Sequence, residues 1–144
     1  MKKLENMIIA LDFDGTVVMH EYPIVGQPIE NCIPTLKRLL DAGVKIILDT
    51  MRSGKELDEA VKYLTDNGIE LYGIQVNPEQ HTWTTSTKVY RHVYVGDDAA
   101  GCPLTYDHKR PEIRPFADWH RLEKWFFPEP VNKVVGVKKS KQQG

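Results

Sequence analysis

The chain is poor in cysteine: Cys32 and Cys102 are the only two, far apart, with no CxxC pair and no cysteine–histidine ligand spacing. That excludes a disulfide framework and a structural zinc site, and it suits a reducing compartment. The chain also lacks any apolar run near the ~20 residues that a bilayer-spanning helix needs. Its first residues, Met-Lys-Lys-Leu-Glu-Asn, are polar, and the apolar run from Met7 to Leu11 is too short for the core of a secretory leader. A cytoplasmic protein with no membrane partner is expected. Excess charge is missing as well, because 19 Lys and Arg against 20 Asp and Glu leave a formal net charge of -1. There is thus no global attraction to nucleic acid, which argues against a dedicated DNA-binding domain but not against an enzyme acting on a nucleotide. No internal repeat or domain boundary is visible, and 144 residues suffice for one good core.

What is present is organised around Met7-Ile8-Ile9-Ala10-Leu11-Asp12-Phe13-Asp14-Gly15-Thr16. An unbroken apolar run of strand length reads as a strand covered on both faces, as in a parallel sheet. Ligands of open α/β sheets bind beyond the carboxyl ends of the strands, where Asp12 and Asp14 stand. Their alternation aims both side chains to one side. Like charges so close ask for a cation or a proton between them.

The remaining chain alternates helical and strand periodicities. Residues 17–28 hold prolines and a glycine and read as a hairpin-like flap, with His20, Glu21 and Tyr22 taken as solvated flap residues rather than substrate contacts. A helix is predicted over Ile29 to Ala42, a strand over Val44 to Leu48, a helix over Lys55 to Asn67 and a third strand over Ile69 to Val76. A polar loop runs from Asn77 to Thr87. Ser86 to Arg91 is predicted as a short capped helix, Val93 to Val95 as the fourth strand and Leu104 to Tyr106 as the fifth. Phe116 to Phe127 carries Trp119, Leu122, Trp125 and Phe126 at helical spacing, a core-facing stripe. The lysine-rich tail over 128–144 is expected to be disordered, leaving one domain over residues 1–127.

Alternating strands and helices predict a doubly wound, mainly parallel five-stranded α/β sheet. Right-handed crossovers then bring Asp12, Asp14, Thr50, Lys88, Asp97 and Asp98 to one rim. Carboxylates without histidine or cysteine ligands suit a hard cation, and magnesium fits best. A threonine hydroxyl and a lysine beside it suit a phosphoryl group. Aspartate can serve as nucleophile, and a second carboxylate as acid and base.

Asp12-Phe13-Asp14-Gly15-Thr16 resembles the DxDGT signature of the haloacid dehalogenase (HAD) superfamily, whose members are mostly phosphatases. Thr50 at a strand end, Lys88 before the fourth strand and Gly96-Asp97-Asp98 resemble the other three motifs in order, over about residues 7 to 106. The resemblance implies a Rossmann-like fold and a magnesium-dependent phosphatase with Asp12 as nucleophile and metal ligand. Asp14 is then the general acid and base, lending its backbone carbonyl to the metal. Asp97 or Asp98 completes the metal site, and Thr50 and Lys88 hold the phosphate. Arg52 is placed either at the phosphate or as a surface charge at a helix start. Gly101 stands where many relatives carry a further aspartate, and Asp49 is unusual beside a phosphate. Short segments at both cap positions resemble the capless branch, whose open sites take large substrates or gain a lid from a neighbouring subunit. A small phosphorylated metabolite or nucleotide is the expected substrate, with nucleic acid and a homo-oligomer as further partners. The alternatives are a phosphotransferase, a nucleic-acid-end phosphatase and a non-catalytic receiver-like phosphoaspartate module.

Overall fold

The structure is a computed structural model and describes residues 3–130. Its elements are β1 (Ile8–Leu11), α1 (Cys32–Asp41), β2 (Lys45–Leu48), α2 (Gly54–Asp66), β3 (Gly73–Ile74), β4 (Val93–Val95), β5 (Leu104–Thr105), β6 (Phe116–Ala117) and α3 (Trp119–Phe126). The architecture is α/β. Four parallel strands stand in the order β3-β2-β1-β4, so β1 and the aspartates that follow it are central. Ile9 pairs with Ile46 and Val93, and Leu11 with Leu48 and Val95. Ile9, Leu11, Ile46 and Leu48 join the main core, whereas Ala10 and Ile47, of opposite parity, are equally buried. Both faces of β1 and β2 are therefore covered, as their unbroken apolar runs predict. Each such side chain contributes about 1.5–3 kcal/mol when fully buried.

Four expected elements differ. The sheet has four strands, not five: Leu104–Thr105 instead pairs with Phe116–Ala117 in a separate antiparallel ribbon. That ribbon is tied to the turn after β1, because the Ala117 amide donates to the Gly15 carbonyl at 2.9 Å and the Trp119 indole to the Thr16 carbonyl at 2.5 Å. β3 shrinks to two residues because the chain doubles back. A Cβ on Gly73 would lie 2.2 Å from the Val76 carbonyl oxygen, and Gln75 adopts φ 65°.

No helix forms over 86–91. Side chains take up the backbone groups there that a helix would use. Gln80 donates to the carbonyls of Ser86 and Lys88 and accepts from the Tyr90 amide, and Asn77 donates to the Tyr90 carbonyl. Polar side chains that bond backbone locally compete with helix in this way.

The last helix starts at Trp119 rather than Phe116, capped by the Asp118 carboxylate accepting from the His120 and Arg121 amides. Trp119, Leu122 and Phe126 are buried as the stripe predicts, but Trp125 is 48% exposed. The flap is a hairpin-like excursion closed by the Met19 amide to the Gln27 carbonyl and the Ile29 amide to the Val17 carbonyl. No helix among the described residues is long and apolar enough to cross a membrane. Most of the expected disordered tail lies outside the described residues.

Candidate active site

Asp12 follows β1 directly, its amide donating to the Val95 carbonyl at 2.9 Å. Asp97 and Asp98 follow β4, the neighbouring strand. Carboxylate oxygens of Asp12, Asp97 and Asp98 lie within 4.8 Å of one another. Thr16, fully buried, stands between the two strand ends. Its hydroxyl lies 3.2 Å from Asp12 Oδ2 and 3.3 Å from Asp97 Oδ1 as donor, and it accepts from the Asp97 amide at 3.0 Å. With a single proton, it can serve only one carboxylate at a time.

Among the described residues no lysine or arginine pairs with this cluster. Burial first, then the Asp97 carboxyl, pushes Asp12 up to about 7. Burial, followed by Asp97, pushes the Cys102 thiol up to about 11. Tyr94 is driven well up by burial and then by Asp12, so its hydroxyl stays protonated and donates to Asp98 Oδ1 at 3.0 Å. In all three burial is the largest cause, and a neighbouring carboxylate adds to it. The flap supplies one contact, His20 Nε2 lying 2.9 Å from Asp97 Oδ2. Gly15 makes this approach possible. It sits at φ 80°, and a Cβ there would lie 2.0 Å from His20 Nε2 and 2.7 Å from Asp97 Oδ2.

Asp14 is drawn elsewhere. Arg52 Nε donates to its Oδ2 and Nη2 to its Oδ1, both at 2.8 Å. The remaining donors of Arg52 reach the carbonyls of Pro23 at 3.1 Å, Ile24 at 2.7 Å and Glu56 at 3.3 Å. All five N–H groups are occupied and the side chain is 1% exposed. Arg52 is therefore neither a phosphate ligand in this geometry nor a surface charge. It is a buried clamp joining Asp14, the flap tip and the first turn of α2. Asp14's carboxylate is consequently outside the cluster of three, although its parity matches that of Asp12.

Thr50 ends the β2 strand as expected. Its amide and carbonyl are held by the Gln75 carboxamide at 2.9 and 2.6 Å, and its hydroxyl accepts from the Arg52 amide at 3.2 Å. Lys88 is exposed, and among the described residues its ammonium makes no ion pair or hydrogen bond, so nothing joins it to the aspartates. Asp49 adds the smallest of the causes that raise the Tyr94 hydroxyl.

Three positions carry no role in the sequence reading: Thr16, Tyr94 and Gln75. Thr16 lies inside the quoted motif. His20, read as a solvated flap residue, instead meets Asp97, and only the fold brings it and Tyr94 to Asp97 and Asp98.

This architecture has a solved counterpart. The chain is similar to a conserved protein coded by a locus from Bacteroides thetaiotaomicron, at TM-score 0.70 and 29% identity over 91% of this chain and 98% of that one. The likeness runs nearly end to end in both, so the two share their α/β architecture without a large added segment in either. No protein-family model matches the sequence, and comparison with curated proteins gives no match.

Proposed function

We propose that the chain is a magnesium-dependent phosphomonoester hydrolase that carries the phosphoryl group on Asp12, built on a doubly wound HAD-like fold without a cap domain. The observation that supports this is the meeting of Asp12, Asp97 and Asp98 at adjoining strand ends, with no lysine or arginine against them among the described residues and the His20 ring 2.9 Å from Asp97. An all-oxygen donor set of this kind suits a hard divalent cation, and the raised Asp12 marks charge that lacks a counter-ion. Magnesium held by these three residues would neutralise charge on a phosphate ester.

The chain's own residues carry the steps. A carboxylate oxygen of Asp12 attacks phosphorus, forming an O–P bond as the ester P–O bond breaks and its electron pair leaves with the alcohol oxygen. The Thr50 hydroxyl stabilises the phosphoryl oxygens. Water then attacks phosphorus, freeing Asp12 and inorganic phosphate. Asp14 gives a proton to the leaving oxygen and takes one from the water. Each of its oxygens accepts one bond from Arg52, which leaves each a lone pair for the proton. Alcohols that leave readily as anions depend on Asp14 least. A small phosphorylated metabolite or nucleotide is the substrate class.

Turnover of an aryl phosphate with magnesium tests the assignment. Asp12→Asn should lower it by about 10⁴ or more. Acid quenching should trap labelled phosphate on the wild-type chain and none on the variant. Turnover within tenfold of wild type, or label retained on Asp12→Asn, would overturn the nucleophile.

A further inference from the structure

From Gln80 to Val95 the chain has no Asp or Glu, yet it contains Lys88, Arg91, His81 and His92. In a chain whose charges balance overall, this is a local cationic stretch. Its aromatic residues are unusually open, with Trp83 64% and Tyr90 42% exposed. They are also ordered. Trp83 meets Tyr90 edge to face at 5.4 Å between ring centroids, and Tyr90 meets His92 in the same way at 5.4 Å. The backbone beneath is pinned by Gln80 and Asn77 at Ser86, Lys88 and Tyr90. Trp83, Lys88, Tyr90 and Arg91 face one hollow of about 350 Å³. That is at the small end of ligand sites, about right for one nucleotide.

An open indole face, two cations with no ion pair to an acid among the described residues, and a fringe of hydroxyls (Thr84, Ser86) form a chemically specific combination. Every nucleobase has a π-face to stack on an aromatic ring, and its phosphate is drawn to lysine and arginine. We propose that this hollow binds a nucleobase with its attached phosphate, the base against Trp83 and the phosphate towards Lys88 and Arg91. The hollow adjoins the acidic cluster through one residue: the Arg91 guanidinium lies 5.4 Å from the centre of the Tyr94 ring, whose hydroxyl donates to Asp98. The site goes beyond the hydrolase reading and stands without it.

The test is therefore a binding measurement on the full chain with EDTA present, so that turnover plays no part. Tryptophan fluorescence is followed during titration with a mononucleoside monophosphate, a 5′-phosphorylated single-stranded octanucleotide, ribose 5-phosphate and inorganic phosphate. Saturable quenching by the nucleotides, at least about tenfold tighter than ribose 5-phosphate, is the expected result. Trp83→Leu should remove the quenching and Lys88→Ala should weaken binding several-fold, each with an unchanged circular dichroism spectrum, while Trp125→Phe keeps both. An octanucleotide that binds much more tightly than the mononucleotide, with affinity falling as salt rises, identifies a single strand as the source. Equal affinities identify the free nucleotide. No saturable quenching, equal binding of ribose 5-phosphate, or quenching that persists in Trp83→Leu would overturn the proposal, and none of these outcomes bears on Asp12.

Discussion

Asp12 and Asp14 are two residues apart and identical in type, yet they live in opposite electrostatic settings. Asp12 shares its space with Asp97 and Asp98, finds only a threonine hydroxyl and its own backbone for support, and is pushed up to about 7. Asp14 is gripped on both oxygens by a guanidinium that is itself buried. The Asp14 carboxylate in turn drives Arg52 still further up, so the guanidinium stays charged. The contrast shows how one strand end separates a charge left wanting a cation from a charge already given one. The first can bind metal. The second holds the flap.

Removing the clamp should have the largest effect on stability. Arg52→Met leaves Asp14 unpaired and strips donors from the Pro23, Ile24 and Glu56 carbonyls. Loss of one partner of a buried pair costs about 3–5 kcal/mol, and the partial exposure of Asp14 places the expectation near the lower figure. Urea unfolding checks it, and a loss below about 1 kcal/mol would break the comparison on the Asp14 side.

Magnesium tests the other side. At a hundred times its dissociation constant it should stabilise the chain by about 2.7 kcal/mol. Binding near pH 7 should also release protons from Asp12, seen by calorimetry in buffers of different ionisation enthalpy. Asp97→Asn should weaken both effects.

Asp12→Asn probes the same charge without metal. A folded-state value raised from 3.8 to about 7 means the folded chain binds more protons than the unfolded one between those limits. Wild-type stability therefore falls as pH rises through that window. The variant escapes this penalty, so its advantage should grow as pH rises through that window, be fully present above pH 7 and vanish below pH 4. An advantage independent of pH would point to something other than the charge.

The exposed Lys62–Asp66 pair sets the scale from below. Lys62→Ala should cost no more than about 0.5 kcal/mol, with Asp66 at 2.6 Å notwithstanding. A larger cost would weaken the claim that burial is what distinguishes the Arg52 clamp.

The legible parts of the fold were those where one physical signal acts alone. Apolar runs at 8–11 and 45–48 became neighbouring parallel strands, and helical periodicity placed α1 and α2 within a few residues of their true ends. Reading failed where a side chain substitutes for backbone pairing. Asn77 and Gln80 satisfy the groups that a helix over 86–91 would have used, and nothing local marks them for that task. The expected fifth strand exists but pairs with Phe116–Ala117, a partner eleven residues on, read instead as the start of a helix.

The candidate site divides in the same way. Sequence alone determined that two aspartates end a strand covered on both faces, that a further acidic pair ends another, and that a glycine lies between the first pair and the flap. These follow from apolar runs that stop abruptly at polar residues. Tertiary structure decided what each residue does. Asp97 and Asp98 join Asp12 because β4 is the strand that pairs with β1. Arg52, read as a phosphate contact or a surface charge, became the clamp on Asp14 because the flap folds over it and supplies the carbonyls that occupy its remaining donors. A charge is recorded in the sequence, but its partner depends on which segments meet, and so does whether that charge is free to act.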